Sequence, residues 1–209
     1  MTTMNSTLKP RKTPLQARST ATVEALYTAT IQVLTREGLS RCTTTRVARR
    51  AGMSVGSLYQ YYPNRDALLA AVLEKHLAGI AAGVEAVCQQ QQGAKIAEMA
   101  RALVAAFLAA KLRDPQESRA LYAVAAERGG AALAMQAYER MAQSITAMLA
   151  SASDGRFTDP ALIATVALSS LIGPVRAVLE GHTPPGFEAG LEAQLITLLC
   201  AYLEAVCEK

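Results

Sequence analysis

The sequence predicts an all-α protein of about nine helices: three short to medium ones near the start, then a larger all-helical remainder. Three observations carry that expectation. Alanine and leucine are abundant, Trp is absent, and aromatics make up only 5% of the chain, a balance that favours helix over sheet. Apolar residues recur at helical spacing, separated by Gly, Pro and Asp punctuation rather than by the regular short turns of a β-protein. With 209 residues and 51% hydrophobic content, the chain can bury a sizeable core as one large domain or two small ones.

Residues 1–17, MTTMNSTLKPRKTPLQA, hold Lys9, Pro10, Arg11, Lys12 and Pro14, and read as a flexible basic arm. They lack the apolar middle of a secretion signal, from which cytoplasmic residence is expected. The stretch VEALYTATIQVLTREG at 23–38 supplies the first helix. A second begins at Thr44 and places Val47, Ala48 and Ala51 on its inner side, where small side chains admit a close neighbour. Gly52 tolerates the left-handed backbone that such a helix ending needs, and Met53 plugs the corner. Ser54 is placed to cap a third helix by accepting from the amide of Gly56 or Ser57, with Leu58 and Tyr61 as its buried edge.

Val55, Gly56, Ser57, Tyr59 and Gln60 then remain outward on the third helix, small or polar groups ill suited to a core. They suit the DNA major groove: Gln pairs with a base edge through two hydrogen bonds, Ser donates or accepts, and Val meets a thymine methyl. This is the pattern of a helix-turn-helix reader. Thr43, Thr44, Thr45, Arg46, Arg49 or Arg50, the Tyr59 or Tyr61 phenol, and Arg65 are the expected phosphate contacts, which position a protein without specifying sequence. Charge agrees. Residues 1–66 carry ten Lys or Arg against three acids, a net +7, while residues 67–209 carry eleven against fourteen, a net −3. The whole basic excess sits with the reader, as in a polyanion-binding head.

The stretch from Arg18 to Leu69 resembles the amino-terminal domain of TetR-type transcriptional regulators, most specifically in AGMSVGSLYQYYPNRDALL. The resemblance implies DNA-contact positions at Thr44, Thr45, Val55, Gly56, Ser57, Tyr59, Gln60, Tyr61 and Arg65. Arg46 joins them by charge and placement, and Ser54 by its place at the start of the reader helix. Val55 stands where the family often has Lys, and Tyr62 where it often has Phe, so the family's base preferences do not carry over directly. The domain expectation is an arm over 1–17, a helix-turn-helix domain over 18–66, and a helical ligand-binding and dimerisation domain over 67–209.

Behind the reader, helices are expected at about 64–90, 94–113, 116–128, 130–152, 159–180 and 187–207. Asn64 should cap the first of these with Asp66 in its opening turn. Asp114-Pro115, Gly129-Gly130, SASDGRFTDP and GHTPPGF mark the breaks. The longest apolar run, Ala161 to Pro174, is too short to span a bilayer, and no membrane partner is expected. The helices at 159–180 and 187–207 are apolar around more of their circumference than a monomer's surface helix, which points to a homodimer built through them. Such a dimer spaces two readers about 34–36 Å apart or more, and so predicts double-stranded DNA with a near-palindromic operator as partner.

Met99, Leu103, Phe107, Tyr122, Met135 and Tyr138 form the candidate lining of a pocket for an unidentified, mainly hydrophobic effector, with ordinary core packing as the alternative reading of the same residues. Arg119 and Arg176 read as surface salt-bridge partners, with pairing of one of them to an anionic ligand as the alternative. Cys42, Cys88, Cys200 and Cys207 show no CxxC pairing and are expected as reduced thiols, with Cys200 and Cys207 packed as small hydrophobes. His76 and His182 have no ligand partners at metal spacing, and no catalytic residues or cofactor are expected. The resulting expectation is a ligand-responsive DNA-binding regulator acting as a repressor. The alternative is a carrier of apolar ligands without sequence-specific DNA binding, against which the basic first 66 residues argue.

Overall fold

The computed structural model describes residues 17–127 and 129–208, in which nine α-helices and one 3-10 turn account for the regular structure. The expected basic arm lies outside the described residues except for Ala17, which opens the first helix. The helices are α1 (Ala17–Glu37), α2 (Thr44–Arg50), α3 (Val55–Tyr59), α4 (Arg65–Gln90), α5 (Ile96–Leu112), α6 (Pro115–Ala125), α7 (Gly130–Ala150), α8 (Pro160–Glu180) and α9 (Phe187–Ala205). The 3-10 turn, Leu39–Arg41, joins α1 to α2. Apart from one isolated antiparallel bridge, Arg156 to Glu208, no β-pairing occurs among the described residues. The all-α expectation therefore holds, with α1 starting earlier and α6 ending earlier than the punctuation suggested.

Local chemistry accounts for the helix ends. Asn64 Oδ1 accepts from the Ala67 amide at 2.8 Å and starts α4. Asp159 caps α8 by accepting from Leu162 at 3.0 Å, ahead of a proline at the first helical position. Gly181 ends α8 in the left-handed conformation at φ 74°, with the His182 amide returning to the Ala177 carbonyl at 2.9 Å. One cap comes from far away in sequence: Asp154, in the linker after α7, accepts from the Ile96 amide at 2.9 Å and starts α5.

Packing divides the chain into two units. The first comprises the described residues up to His76 together with those of 116–134, and so includes the first half of α4 and α6. Its core contains Leu26 and Leu34 from α1, Val47 and Ala48 from α2, Leu58 from α3, Tyr62, Leu68 and Val72, with Leu121 and Val124 from α6. The second unit holds residues 77–115 and 135–208. There α5 packs most extensively on α9, and both meet α8. Its core runs through Met99, Leu103 and Phe107, Ile145 and Met148, Leu168 and Leu171, and Leu195 and Leu199.

Two helices, α4 and α8, are long and apolar enough to cross a membrane by length and composition. This departs from the sequence expectation because both run on through polar punctuation, α8 continuing past Ser169, Ser170, Gly173 and Pro174. α8 also buries an apolar row, Ile163, Ala167, Leu171 and Val175, inside its unit, α4 buries apolar residues such as Leu68 and Val72 in the first unit and Ile80 and Val84 in the second, and core helices pass the same length and composition criterion.

Candidate nucleic-acid interface

The interface is built by α2, α3 and the turn between them. Thr43 accepts from the Arg46 amide at 3.3 Å and starts α2. Gly52, at φ 69°, lets the chain reverse, and the Met53 amide returns to the Ala48 carbonyl at 3.0 Å. Ser54 Oγ then accepts from the Ser57 amide at 3.0 Å, one of the two amides expected, and lies 2.8 Å from Ser57 Oγ. Val47, Ala48 and Leu58 seal the contact between the two helices. The buried aromatic at the end of α3 is Tyr62, not Tyr61: one helical turn from Leu58 it packs inward, while Tyr61 stays half-exposed. Burial, with Glu24 nearby, raises the Tyr62 phenol above its ordinary pKa.

Outward from this scaffold stand Thr45, Arg46, Arg49 and Arg50 on α2, and Ser54, Gly56, Tyr59 and Gln60 on and around α3, with Val55 and Ser57 half-exposed. Gly56 is informative. A Cβ placed there would touch only Ser54 Oγ, at an ordinary 3.7 Å, and its backbone angle is one any residue adopts. Nothing inside the head requires a glycine, although glycine within a helix costs about 0.5–1 kcal/mol relative to alanine.

Several of the expected contact residues are also used internally. Thr44 is buried, and its hydroxyl shares a 3.2 Å hydrogen bond with the Tyr59 phenol. Arg65 donates from Nε to the Cys42 carbonyl at 2.7 Å and from a terminal nitrogen to the Leu39 carbonyl at 2.8 Å, clamping the turn before α2 onto the start of α4. Asp66 and Glu127 carboxylates lie 3.6 and 3.8 Å from its other terminal nitrogen. Arg65 thus has an internal role besides the phosphate contact expected of it. Arg46 pairs with Glu37, and Arg50 donates to Gln32 Oε1 at 2.6 Å. Arg46, Arg49 and Arg50 of α2, with Val33 and Glu37 of α1, line a concavity of about 510 Å³.

Cys42 and Cys88 are buried, and burial pushes each thiol up to about 11, for Cys42 against the opposing pull of Arg65. Both are protonated and inert as nucleophiles at neutral pH. All four cysteines are free, with Cys200 and Cys207 half-buried rather than in the core.

The six residues expected to line an effector pocket do not come together as a set. Met99, Leu103 and Phe107 are filled core of the second unit, Met135 is 57% exposed, and Tyr138 donates to the Thr165 carbonyl at 3.2 Å and meets Ser169 Oγ at 3.0 Å. Tyr122 belongs to the first unit.

None of the curated proteins compared matches the sequence. Solved structures do match in fold. A Mesorhizobium loti protein assigned to the TetR-family transcriptional regulators superposes with a TM-score of 0.72 at 18% identity, over 91% of this chain and 97% of its own. SmeT, the repressor of the Stenotrophomonas maltophilia multidrug efflux pump SmeDEF, gives 0.67 at 17% identity over 90% and 91%. The fatty acid degradation regulator FadR of Bacillus halodurans gives 0.65 at 14% over 85% and 97%. Residues 26–72 match the family model of the bacterial regulatory proteins of the tetR family, and residues 96–203 match that of the tetracyclin repressor-like C-terminal domain. Reader and following helices are thus both accounted for, and the chain belongs to the TetR family of DNA-binding transcriptional regulators.

Proposed function

We propose that this regulator is a repressor which holds a near-palindromic operator as a homodimer and releases it when a small, mainly hydrophobic molecule binds its second unit. The observation that carries the reading is the outward set of α3, above all Gly56, whose missing side chain has no internal cause and suits close approach of the backbone to DNA. Val55, Ser57, Tyr59 and Gln60 are the base-facing candidates, and Thr45, Arg46, Ser54 and Tyr61 border them; Thr44 acts through Tyr59. The dimer is supported by apolar side chains left outward on the last two helices: Leu162 is 59% exposed and Val166 41% on α8, and Leu198 is 49% exposed on α9. A partner copy covering them makes a four-helix interface.

For the effector, the support is compositional. Met99, Leu103 and Phe107 on α5, with Met141 and Met148 on α7, form a soft apolar interior that can re-pack around a ligand, with Tyr138 and Met135 at its margin. Ligand and DNA then select different conformations of one protein, which needs differential affinity and no chemistry. Such a protein works beside its DNA, in the cytoplasm.

A gel-shift with the DNA flanking its own coding region tests the reading. A sequence-selective complex at moderate salt is expected, and its absence sinks the proposal. Replacing Gln60 should change which duplexes are preferred, because a two-pronged base contact is worth about 1–3 kcal/mol of discrimination. Replacing Arg46 should weaken all of them alike.

A further inference from the structure

Sequence and packing place α6 differently. It lies within the stretch matched by the C-terminal family model, yet it packs in the unit that carries the reader. Besides the apolar packing of Leu121 and Val124, a buried polar joint fastens it there. Glu117, in the first turn of α6, is 8% exposed. Its Oε1 accepts the Tyr27 phenol from α1 and the His76 Nδ1 hydrogen from α4, the latter at 2.9 Å. His76 is 9% exposed, and its Nε2 has no hydrogen-bond partner among the described residues, so the bond to Glu117 is what orients the ring. Lys75, one residue earlier on α4, bonds Glu24 of α1 and sits 4.4 Å above the Tyr27 ring.

A carboxylate is retained in an interior only where donors meet it, and removing one donor leaves charge that the site cannot solvate. One oxygen of Glu117 therefore ties three helices to a single arrangement. Of these, α1 packs directly on α2 and on the turn before it, and α2 packs on α3. Along the chain, α6 is flanked by α5 and α7, which lie wholly or mostly in the second unit.

We propose that Glu117 is a positioning residue for DNA reading: through Tyr27 and His76 it registers α1 and α4 against α6, and so holds α2 and α3 in the arrangement that DNA meets. The proposal rests on the reading of α2 and α3 as the DNA-contacting elements.

The test uses the full-length protein and a duplex that the wild type itself selects from a random pool. Glu117→Gln keeps the volume and removes the charge, Tyr27→Phe removes one donor, and the double variant removes both. Gly155→Ala, in the second unit, serves as a control that lowers stability away from the joint. At a temperature where each protein is fully folded by circular dichroism, each joint variant should lose on the order of tenfold in affinity. The double variant should lose little more than the worse single one, because both changes act on the same contact, the first by removing the charge of its acceptor and the second by removing its donor. The control should bind as wild type does. Folded Glu117→Gln and Tyr27→Phe proteins binding within about twofold of wild type, losses that simply add, or an equal loss in the control would each overturn the proposal. If Glu117→Gln does not fold, Tyr27→Phe, which keeps the bond from His76, decides alone. A wild type that selects no duplex removes the DNA reading and the proposal with it, whereas a selected duplex that the variants bind normally removes only the proposal.

Discussion

Arg65 shows how a residue's role depends on what its donors reach. Its two hydrogen bonds to the Leu39 and Cys42 carbonyls fix the turn before α2, and bonds of this charge-assisted kind are worth about 1.5–3 kcal/mol each. Arg65→Gln should therefore lower urea-unfolding stability by about 2–4 kcal/mol while leaving the slope of log affinity against log salt unchanged. A slope smaller by about one would instead return Arg65 to the phosphate contacts. Lys111 makes a different prediction. It is 8% exposed, and burial lowers its pKa from 10.5 to about 8. Below pH 8 the ammonium is charged in both states, and the folded protein bears its desolvation cost. Between pH 8 and 10.5 the unfolded chain holds the proton that the folded one has lost, so the contribution of Lys111 to stability rises with pH across that window. The full rise is on the order of 3 kcal/mol. The buried Cys42 and Cys88 thiols, raised to about 11, pull the other way above pH 9 in wild type and variant alike, so the test is the difference between wild type and Lys111→Met, whose unfolding free energies measured from pH 7 to 11 should separate by this amount; a difference that stays constant with pH contradicts the assignment.

At the scale of elements, the linker between α7 and α8 is more than a turn. Asp154 caps α5, Arg156 and Glu208 exchange backbone hydrogen bonds at 2.9 and 2.8 Å, and Gly155 lies between them against the Cys207 sulfur. A Cβ at Gly155 would overlap that sulfur and crowd Ile96 Cδ1 at 3.2 Å and the Glu208 carbonyl at 3.3 Å. Gly155→Ala should thus cost about 1–3 kcal/mol by overpacking. Adding Cys207→Ala should restore much of it in thermal unfolding, and a double variant no more stable than the single would show that sulfur is not the obstacle. This linker also marks what was legible beforehand. Helices whose ends are set by neighbours, such as Ser54 with Ser57 or Asn64 with Ala67, could be read from spacing, because the partner is three residues away. The outward side of α3 followed from the same periodicity. Asp154 with Ile96 is 58 residues apart, Tyr27 with Glu117 is 90, and Arg65 with its carbonyls 23 and 26. No local pattern encodes those meetings; they arise only when helices dock. Tyr61 and Tyr62 were exchanged for a related reason, since a buried edge three residues from Leu58 and one four residues away fit the same helical face until packing selects.

For the whole molecule, the salt dependence of binding depends on how many heads engage one duplex. Each head exposes Arg46, Arg49 and Arg50 along α2. If a dimer commits these from both copies, six phosphates are neutralised, and log affinity should fall with log salt at a slope of about −5. Leu162→Glu places a carboxylate in the apolar face of α8 that is left outward, where a partner copy would have to bury it unpaired. Sedimentation should then show a monomer with wild-type helix content, because Leu162 is 59% exposed and contributes little to its own chain's core. The salt slope of the monomer should drop to about half, since one head meets one half-site. Selective affinity should fall more steeply than the slope alone implies, because the second head no longer binds at the high effective concentration that linkage provides. A Leu162→Glu protein that sediments as a dimer would move the interface away from this face of α8. A monomer that keeps the full slope would mean that the charge meeting DNA comes from elsewhere in the chain than the three arginines of α2.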